Sequence, residues 1–190
     1  MQQVTTTSDV LGKKVIINRI SDVPGGISLL IANLVAGKHV QEGTPLTAPS
    51  SGARTVCKEA VLLTGSVAAA LKVSSQLNNF KVGEFIGQKL DGIAGTITEI
   101  TTSDGVDTIA IDSDLEAFAA GTAIYEMAAL ATDDSALKNT PDVILKEAYE
   151  VPSTSQVIVI KDALVRADVQ ENCIGALNLA QLPGVIVIKY

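Results

Sequence analysis

Few side chains in this 190-residue sequence are of types that do chemistry, and their spacing bounds what they could do. His39 is the single histidine, so a triad with a histidine base would have to be built around one residue in the turn-rich stretch 36–46. Gly65-Ser66-Val67 places a serine after a glycine but lacks the second glycine of the Gly-x-Ser-x-Gly elbow that presents a nucleophile. No Gly-x-x-x-x-Gly-Lys-Ser/Thr loop is there to cradle phosphates, and no Gly-x-Gly-x-x-Gly joins a strand to a helix. The richest remaining constellation is Asp104, Asp107, Asp112, Asp114 and Glu116, whose oxygens would suit a hard cation such as calcium. An EF-hand loop opened at Asp112 would need glycine where Ala117 stands and glutamate where Ala123 stands, so that motif fails. The acids read more simply as a solvated face that repels wrong edge pairing. Cys57 and Cys173 have no paired spacing and are expected to be buried, reduced thiols. No catalytic, cofactor-binding or metal-ligating residue is therefore assigned, and the expectation is a protein that is not an enzyme.

The elements that must position these residues come from a chain that is 47% hydrophobic yet has no run near the roughly 18 apolar residues that would read as a membrane span. Met1-Gln2-Gln3-Val4-Thr5-Thr6-Thr7 has neither the basic region nor the apolar stretch of a secretory signal, so synthesis in a cytoplasm is expected. Aromatics make up 3% with no tryptophan, which removes the usual stacking surface for bases, sugars and flat cofactors. Charge is unevenly spread: 9 Lys/Arg against 6 Asp/Glu in residues 1–98 (+3), 2 against 12 in 99–150 (−10), and 3 against 3 in 151–190. The acidic middle argues against nucleic-acid binding there, because phosphate affinity needs cations that release counterions.

β-branched residues, glycines and short apolar runs dominate, so the fold class is mainly β. Lys14-Val15-Ile16-Ile17 is a strand that runs to the Pro24-Gly25-Gly26 turn, and Ile27 to Leu34 is apolar. Residues 36–46 read as a glycine-bounded hairpin-like stretch and 48–52 as loop. Val56 to Leu63 and Ala69 to Val73 are plausible strands, although the alanines leave a helix open. Thr96 to Ile100 and Thr108 to Ile111 flank Ser103-Asp104-Gly105, and Asp-Gly between β-branched runs signals a hairpin. Asp114 to Ala120 suits one helical turn, Thr122 to Glu126 another strand, and 131–142 a polar connection. Val157-Ile158-Val159-Ile160-Lys161 returns as Val185-Ile186-Val187-Ile188-Lys189; such unbroken runs read as strands covered on both faces, by the same chain or by a partner. Between them Glu171 to Leu182 has helical spacing, ended by Pro183-Gly184. The organisation expected is a small β-barrel or tulip-like body from 1–75 and 135–190, with a β-rich, barrel-like insert at 76–134 and one short C-terminal helix.

Four pieces in this order give the chain a resemblance: Pro24-Gly25-Gly26; Ala36-Gly37 through Gly43-Thr44-Pro45-Leu46; Phe80-Lys81-Val82-Gly83-Glu84-Phe85; and Leu164-Val165-Arg166 leading by a short helix to Leu182-Pro183. Together they span most of the sequence, which resembles head decoration, auxiliary capsid and head-fibre proteins of tailed phages, particularly crAss-like phages of Bacteroidota. The resemblance implies a structural virion protein on the capsid exterior, made in the host cytoplasm. Its partners would be the major capsid protein, further copies of itself in a homo-oligomer (a trimer by preference) and a head-fibre subunit, with no nucleic acid, membrane or cofactor. It also implies an N-terminal arm against the shell, with Val4, Thr5, Thr6, Thr7, Ser8 and Asp9 as capsid-contacting residues. No collagen-like or coiled-coil stalk follows, so a fibre shaft is missing.

The alternative reading is a non-enzymatic β-barrel adaptor whose 80–130 region recognises a protein or carbohydrate. An exposed patch of Tyr125, Phe118 and Phe85 would favour the adaptor, and the same rings buried would favour the virion subunit. An enzyme would need a cleft gathering His39 or several carboxylates in perturbed environments.

Overall fold

Short apolar runs broken by glycines and turn residues build strands rather than helices, because each run ends before a helix could bury a full stripe. The computed structural model describes residues 16–64, 66–67, 69–113, 115, 120–153, 158–170, 178, 181–182 and 184–188, and these are mainly β. In chain order the strands are β1 (Ile16–Asp22), β2 (Ile27–Leu30), β3 (His39–Val40), β4 (Pro45–Thr47), β5 (Arg54–Thr55), β6 (Glu59–Val61), β7 (Ala70–Ser74) and β8 (Phe85–Gly87). They continue with β9 (Ala94–Ser103), β10 (Val106–Ile111), β11 (Ala123–Met127), β12 (Pro141–Leu145), β13 (Tyr149–Glu150), β14 (Ile158–Lys161), β15 (Ala163–Gln170) and β16 (Val185–Ile188). The described parts of the Val-Ile-Val-Ile repeat, Ile158–Lys161 and Val185–Ile188, are thus both strands. The expected arm, Val4 to Asp9, and most of the expected helix at 171–182 lie outside the described residues.

The first large sheet has the order β1-β15-β12-β4, and β16 runs parallel to β15. β12 meets β15 at Ala163 and Leu164, and β16 meets it from Ala167 to Gln170, so β12 and β16 take successive stretches of β15. β2 lies between β14 and β5, and β3 pairs with β13. Leu29, Leu46, Val143 and Leu145 are buried in the main core under these strands. The 36–46 stretch does not form the expected hairpin: β3 pairs with β13 and β4 with β12. Each half finds a longer-range partner on the body, which the local glycine signal cannot register.

The second large sheet has the order β6-β11-β8-β9-β10-β7 and curls around Leu62, Leu71, Ile86, Ile97, Ile109 and Ile124. Strands β6 and β7, which precede the expected boundary at 76, hydrogen-bond within it. Its centre is the expected hairpin: Ser103 pairs with Val106 across Asp104-Gly105. Both turn residues have positive φ, 51° and 77°, the conformation for which an Asp-Gly pair is suited.

Among the described residues no sheet closes into a barrel, which corrects the barrel expectation. Antiparallel β6 and β7 touch at one backbone bond, Leu63 N–H to Lys72 O at 2.8 Å, and then separate. Both are drawn toward the body instead. Cys57 N–H donates to Pro45 O at 2.9 Å, and Gln76 O accepts from His39 N–H at 2.7 Å.

Candidate functional site

Where β6 and β7 part, a cleft of about 580 Å³ opens between the second sheet and the 39–44 segment of the body. Glu59, Ala60, Val61 and Leu63 form one wall, Ser74, Leu77 and Asn79 another, and His39, Val40, Gln41, Glu42 and Thr44 a third. Val61 and Leu63 are exposed apolar side chains at its lip.

Two buried charge clusters fix the walls. Lys38 reaches from the 36–40 turn to Ser75 O and, at 3.1 Å, to Asp107 Oδ2 in β10. Asp107 is fully buried and also accepts from Asn78 Nδ2 at 2.8 Å and Thr102 Oγ1 at 2.6 Å. Burial is the largest single influence on this carboxyl and opposes its ionisation, but the bonds from Thr102, Asn78 and Lys38 outweigh it and hold it below its ordinary range. The adjoining loop is stitched across the same junction. Asn79 Oδ1 accepts from Val35 N–H at 3.2 Å, and its Nδ2 donates to His39 O at 3.0 Å.

The second cluster centres on Lys58, whose side chain is 1% exposed. Its Nζ donates to Glu84 Oε1 at 2.5 Å and lies 4.0 Å from Glu126 Oε1. Glu126 is also buried and accepts from Lys138 Nζ at 2.7 Å. Burial lowers the Lys58 pKa, and the bond to Glu84 only partly offsets that. Burial likewise pushes the neighbouring Cys57 thiol from 9.0 up to about 12, helped by Glu59 and Glu126, so the thiolate is disfavoured at neutral pH.

His39, Glu42 and Glu59 all line the cleft. Both carboxylates bond elsewhere: Glu42 Oε1 accepts from Ile16 N–H at 2.9 Å, and Glu59 Oε2 from Asn178 Nδ2 at 2.6 Å. Among the described residues no hydrogen bond reaches the His39 ring, whose Nδ1 is buried and unpaired. Ser66 Oγ donates to Leu63 O at 2.9 Å and accepts from Lys72 N–H at 2.9 Å, so it braces the loop between β6 and β7. The base–orienter and nucleophile–base bonds of a triad are not made among these groups.

Of the acidic residues grouped from the sequence, the three that are described take separate places. Asp107 points inward to Lys38, Asp104 sits in the β9–β10 turn, and Asp112 accepts from Thr96 N–H at 2.7 Å. That backbone bond lowers the Asp112 pKa. Asp114 and Glu116 lie outside the described residues, and among those described no group of three or more His, Cys, Asp or Glu could hold a metal ion. Tyr125 is buried and Phe85 packs beside it in the second sheet, while Phe118 is outside the described residues.

Sequence reasoning passed over Lys58 and the inward role of Asp107, yet each left a period-2 signal. Val56, Lys58, Ala60 and Leu62 alternate onto one face, as do Asp107, Ile109 and Ile111. Compared with family models, with curated proteins and with solved structures, the chain matches none.

Proposed function

We propose that this protein is a structural, non-enzymatic subunit on the outside of a tailed-phage head, an oligomeric accessory that stabilises the capsid or anchors head fibres. The observation that carries the choice over an adaptor is the placement of Tyr125 and Phe85, which pack within the second sheet instead of forming an exposed recognition patch. Self-association has support in the first sheet. Ile20, Val165 and Ile186 are exposed apolar side chains on the neighbouring strands β1, β15 and β16. Subunits covering such side chains at capsid junctions would add buried contacts that must break before capsomers separate, at about 25 cal/mol per Å² of apolar area before entropic costs. The acidic middle of the chain suits an outward, solvated surface.

Light scattering on the isolated protein, followed by co-sedimentation with purified capsids stripped of accessory subunits, tests the proposal. A trimer or similar oligomer that pellets with capsids is expected. Deleting residues 1–9, which include the proposed capsid contacts Val4, Thr5, Thr6, Thr7, Ser8 and Asp9, is expected to leave a folded protein that stays in the supernatant. A monomer that ignores capsids would overturn the virion reading and shift the assignment to the adaptor, with the cleft as its binding surface.

A further inference from the structure

In the second sheet a buried lysine is in contact with one carboxyl group and has a second carboxylate close by. Lys58 lies just before β6, and its Nζ is 2.5 Å from Oε1 of Glu84, whose side chain is 15% exposed. Glu84 ends the 81–84 turn that leads into β8. Glu126, in β11, is as buried as the lysine, with Oε1 4.0 Å from the same Nζ. A carboxyl C–O bond is roughly 1.2 Å long, so Nζ is no more than about 3.7 Å from Glu84 Cδ, close to the roughly 3–3.5 Å of an attack geometry. Backbone bonds hold each member in place. Glu126 N–H donates to Lys58 O at 3.1 Å, which sets β11 against the lysine, and Ile97 N–H donates to Glu84 O at 2.9 Å, which pins the turn to β9. Lys81 N–H donates to Glu84 Oε2 at 2.9 Å, so one carboxyl oxygen is held and polarised while the other meets the amine. Other lysine–carboxylate pairs keep one end in water: Lys38 beside Asp107 is partly exposed, and Asp22 beside Lys146 is exposed.

We infer that Lys58 and Glu84 are the precursors of an intramolecular amide, a covalent staple that the fold forms within itself with Glu126 as proton carrier. The Nζ lone pair attacks Cδ, the Cδ–Oε1 bond breaks, and Oε1 leaves in a water molecule. Ammonium and carboxylate supply every atom between them. Of the three Nζ protons, one stays as the amide N–H and two leave with the oxygen, so no oxidant and no activating nucleotide is needed. Glu126 takes a proton from the amine and returns it to the departing oxygen, which restores its own charge. Burial favours this reaction in two ways. It disfavours the ammonium and lowers the Lys58 pKa, which raises the share of neutral, nucleophilic amine. It also favours the uncharged product, because the hydration lost by a buried ion pair can exceed its Coulomb attraction. Fixed contact adds the high effective concentration that free amines and carboxylates lack in water. The product leaves its polar groups matched: Oε2, as the amide oxygen, keeps the Lys81 N–H, the amide N–H has Glu126 beside it, and Glu126 keeps Lys138. The ion pair is the state of the newly folded protein, and the amide accumulates from it on standing. The staple closes a ring through residues 58–84 and ties the approach to β6 to the turn before β8. The inference stands apart from the virion reading, since the chemistry is complete within one chain.

Mass spectrometry of the full chain under denaturing conditions, at intervals after purification, tests this. A species lighter than the sequence by one water is expected to grow during incubation at neutral pH. Ring closure at Asp91-Gly92 or Asp104-Gly105 loses the same water, so tryptic digestion locates the loss. The amide joins peptide 55–72, uncleaved at Lys58, to peptide 82–89. Lys58→Arg is expected to hold the sequence mass, because a guanidinium stays protonated and does not attack. Glu126→Gln is expected to slow the cross-link at least about tenfold, since the amide side chain cannot take up the proton. A full chain that keeps its sequence mass, or loses water only elsewhere, overturns the inference, and that result depends on no variant folding. Cross-linking of Glu126→Gln at the parent rate overturns the role given to Glu126. Capsid co-sedimentation reads the virion proposal independently, so the two can fail separately.

Discussion

Raising the pH isolates the energetic consequence of burying Cys57. Its thiol is held at about 12 in the folded protein against 9.0 when free, because burial and the nearby Glu59 and Glu126 carboxylates disfavour the thiolate. Below pH 9 the thiol is neutral in both states and its contribution to stability is fully present. As pH rises from 9 toward 12 the unfolded chain loses this proton first, so stability falls. Integrating the proton linkage with those two values gives a loss of about 2–3 kcal/mol between pH 8 and pH 11 from this one group, a large share of the stability of an ordinary domain. Tyr149, which burial also pushes upward, adds a loss of the same sign above pH 10. Comparing the protein with Cys57→Ala cancels that term and every other alkaline titration common to both. The alanine variant is expected to be less stable at pH 8 by about 1 kcal/mol, the cost of the lost sulfur contacts, and to catch up and overtake the parent by pH 11. Guanidinium unfolding followed by far-ultraviolet circular dichroism under reducing conditions, at unit steps from pH 8 to 11, measures both curves. Parallel curves would refute the reasoning, since they would mean that Cys57 ionises alike in the folded and unfolded chain.

Two further perturbations test the charge clusters behind the cleft. Lys58→Met leaves Glu84 and Glu126 in place without their shared cation and is expected to cost about 3 kcal/mol, the lower end for a broken buried pair because Glu126 keeps Lys138 and Glu84 still accepts from Lys81 N–H. Adding Glu84→Gln should recover part of that loss, and a double-mutant cycle by chemical denaturation that shows simple additivity would refute the pairing. Asp107→Asn should destabilise by about 2 kcal/mol at pH 7. Because the carboxyl is held below 3.8, its contribution is present above that value and lost as pH falls through the folded pKa, so the gap to the parent should narrow toward pH 2. A gap of constant size across acid titration curves would place Asp107 outside the Lys38 bond.

The β class of this protein and several of its strands follow from local signals. The Asp104-Gly105 hairpin is specified by a turn whose two residues tolerate positive φ and by the alternation on either side of it. Ile158–Lys161 and Val185–Ile188 are strands because β-branched residues favour extended backbone. Period-2 alternation also put Asp107 on a buried face, although it stands in an acidic stretch that composition alone assigns to solvent.

Which strands become neighbours is decided at longer range. The 36–46 segment carries the glycines of a hairpin, yet β3 and β4 lie beside β13 and β4's partner β12, more than ninety residues along the chain, because burying Val40, Leu46 and Tyr149 in one core outweighs the local turn. The open seam has the same origin. Nothing in the spacing of Cys57 or Gln76 says that their backbone groups will bond to Pro45 and His39, and those two bonds keep β6 and β7 from zipping shut. The sequence by itself determined that the protein would be built of short strands and where many of them lie. Only the tertiary structure, by diverting two strand edges to the body, decided that His39, Glu42 and Val61 would share a cleft instead of a closed barrel wall. The physical reason is that backbone hydrogen-bonding groups are the same at every residue, so a sheet edge accepts whichever partner the packing of side chains brings to it.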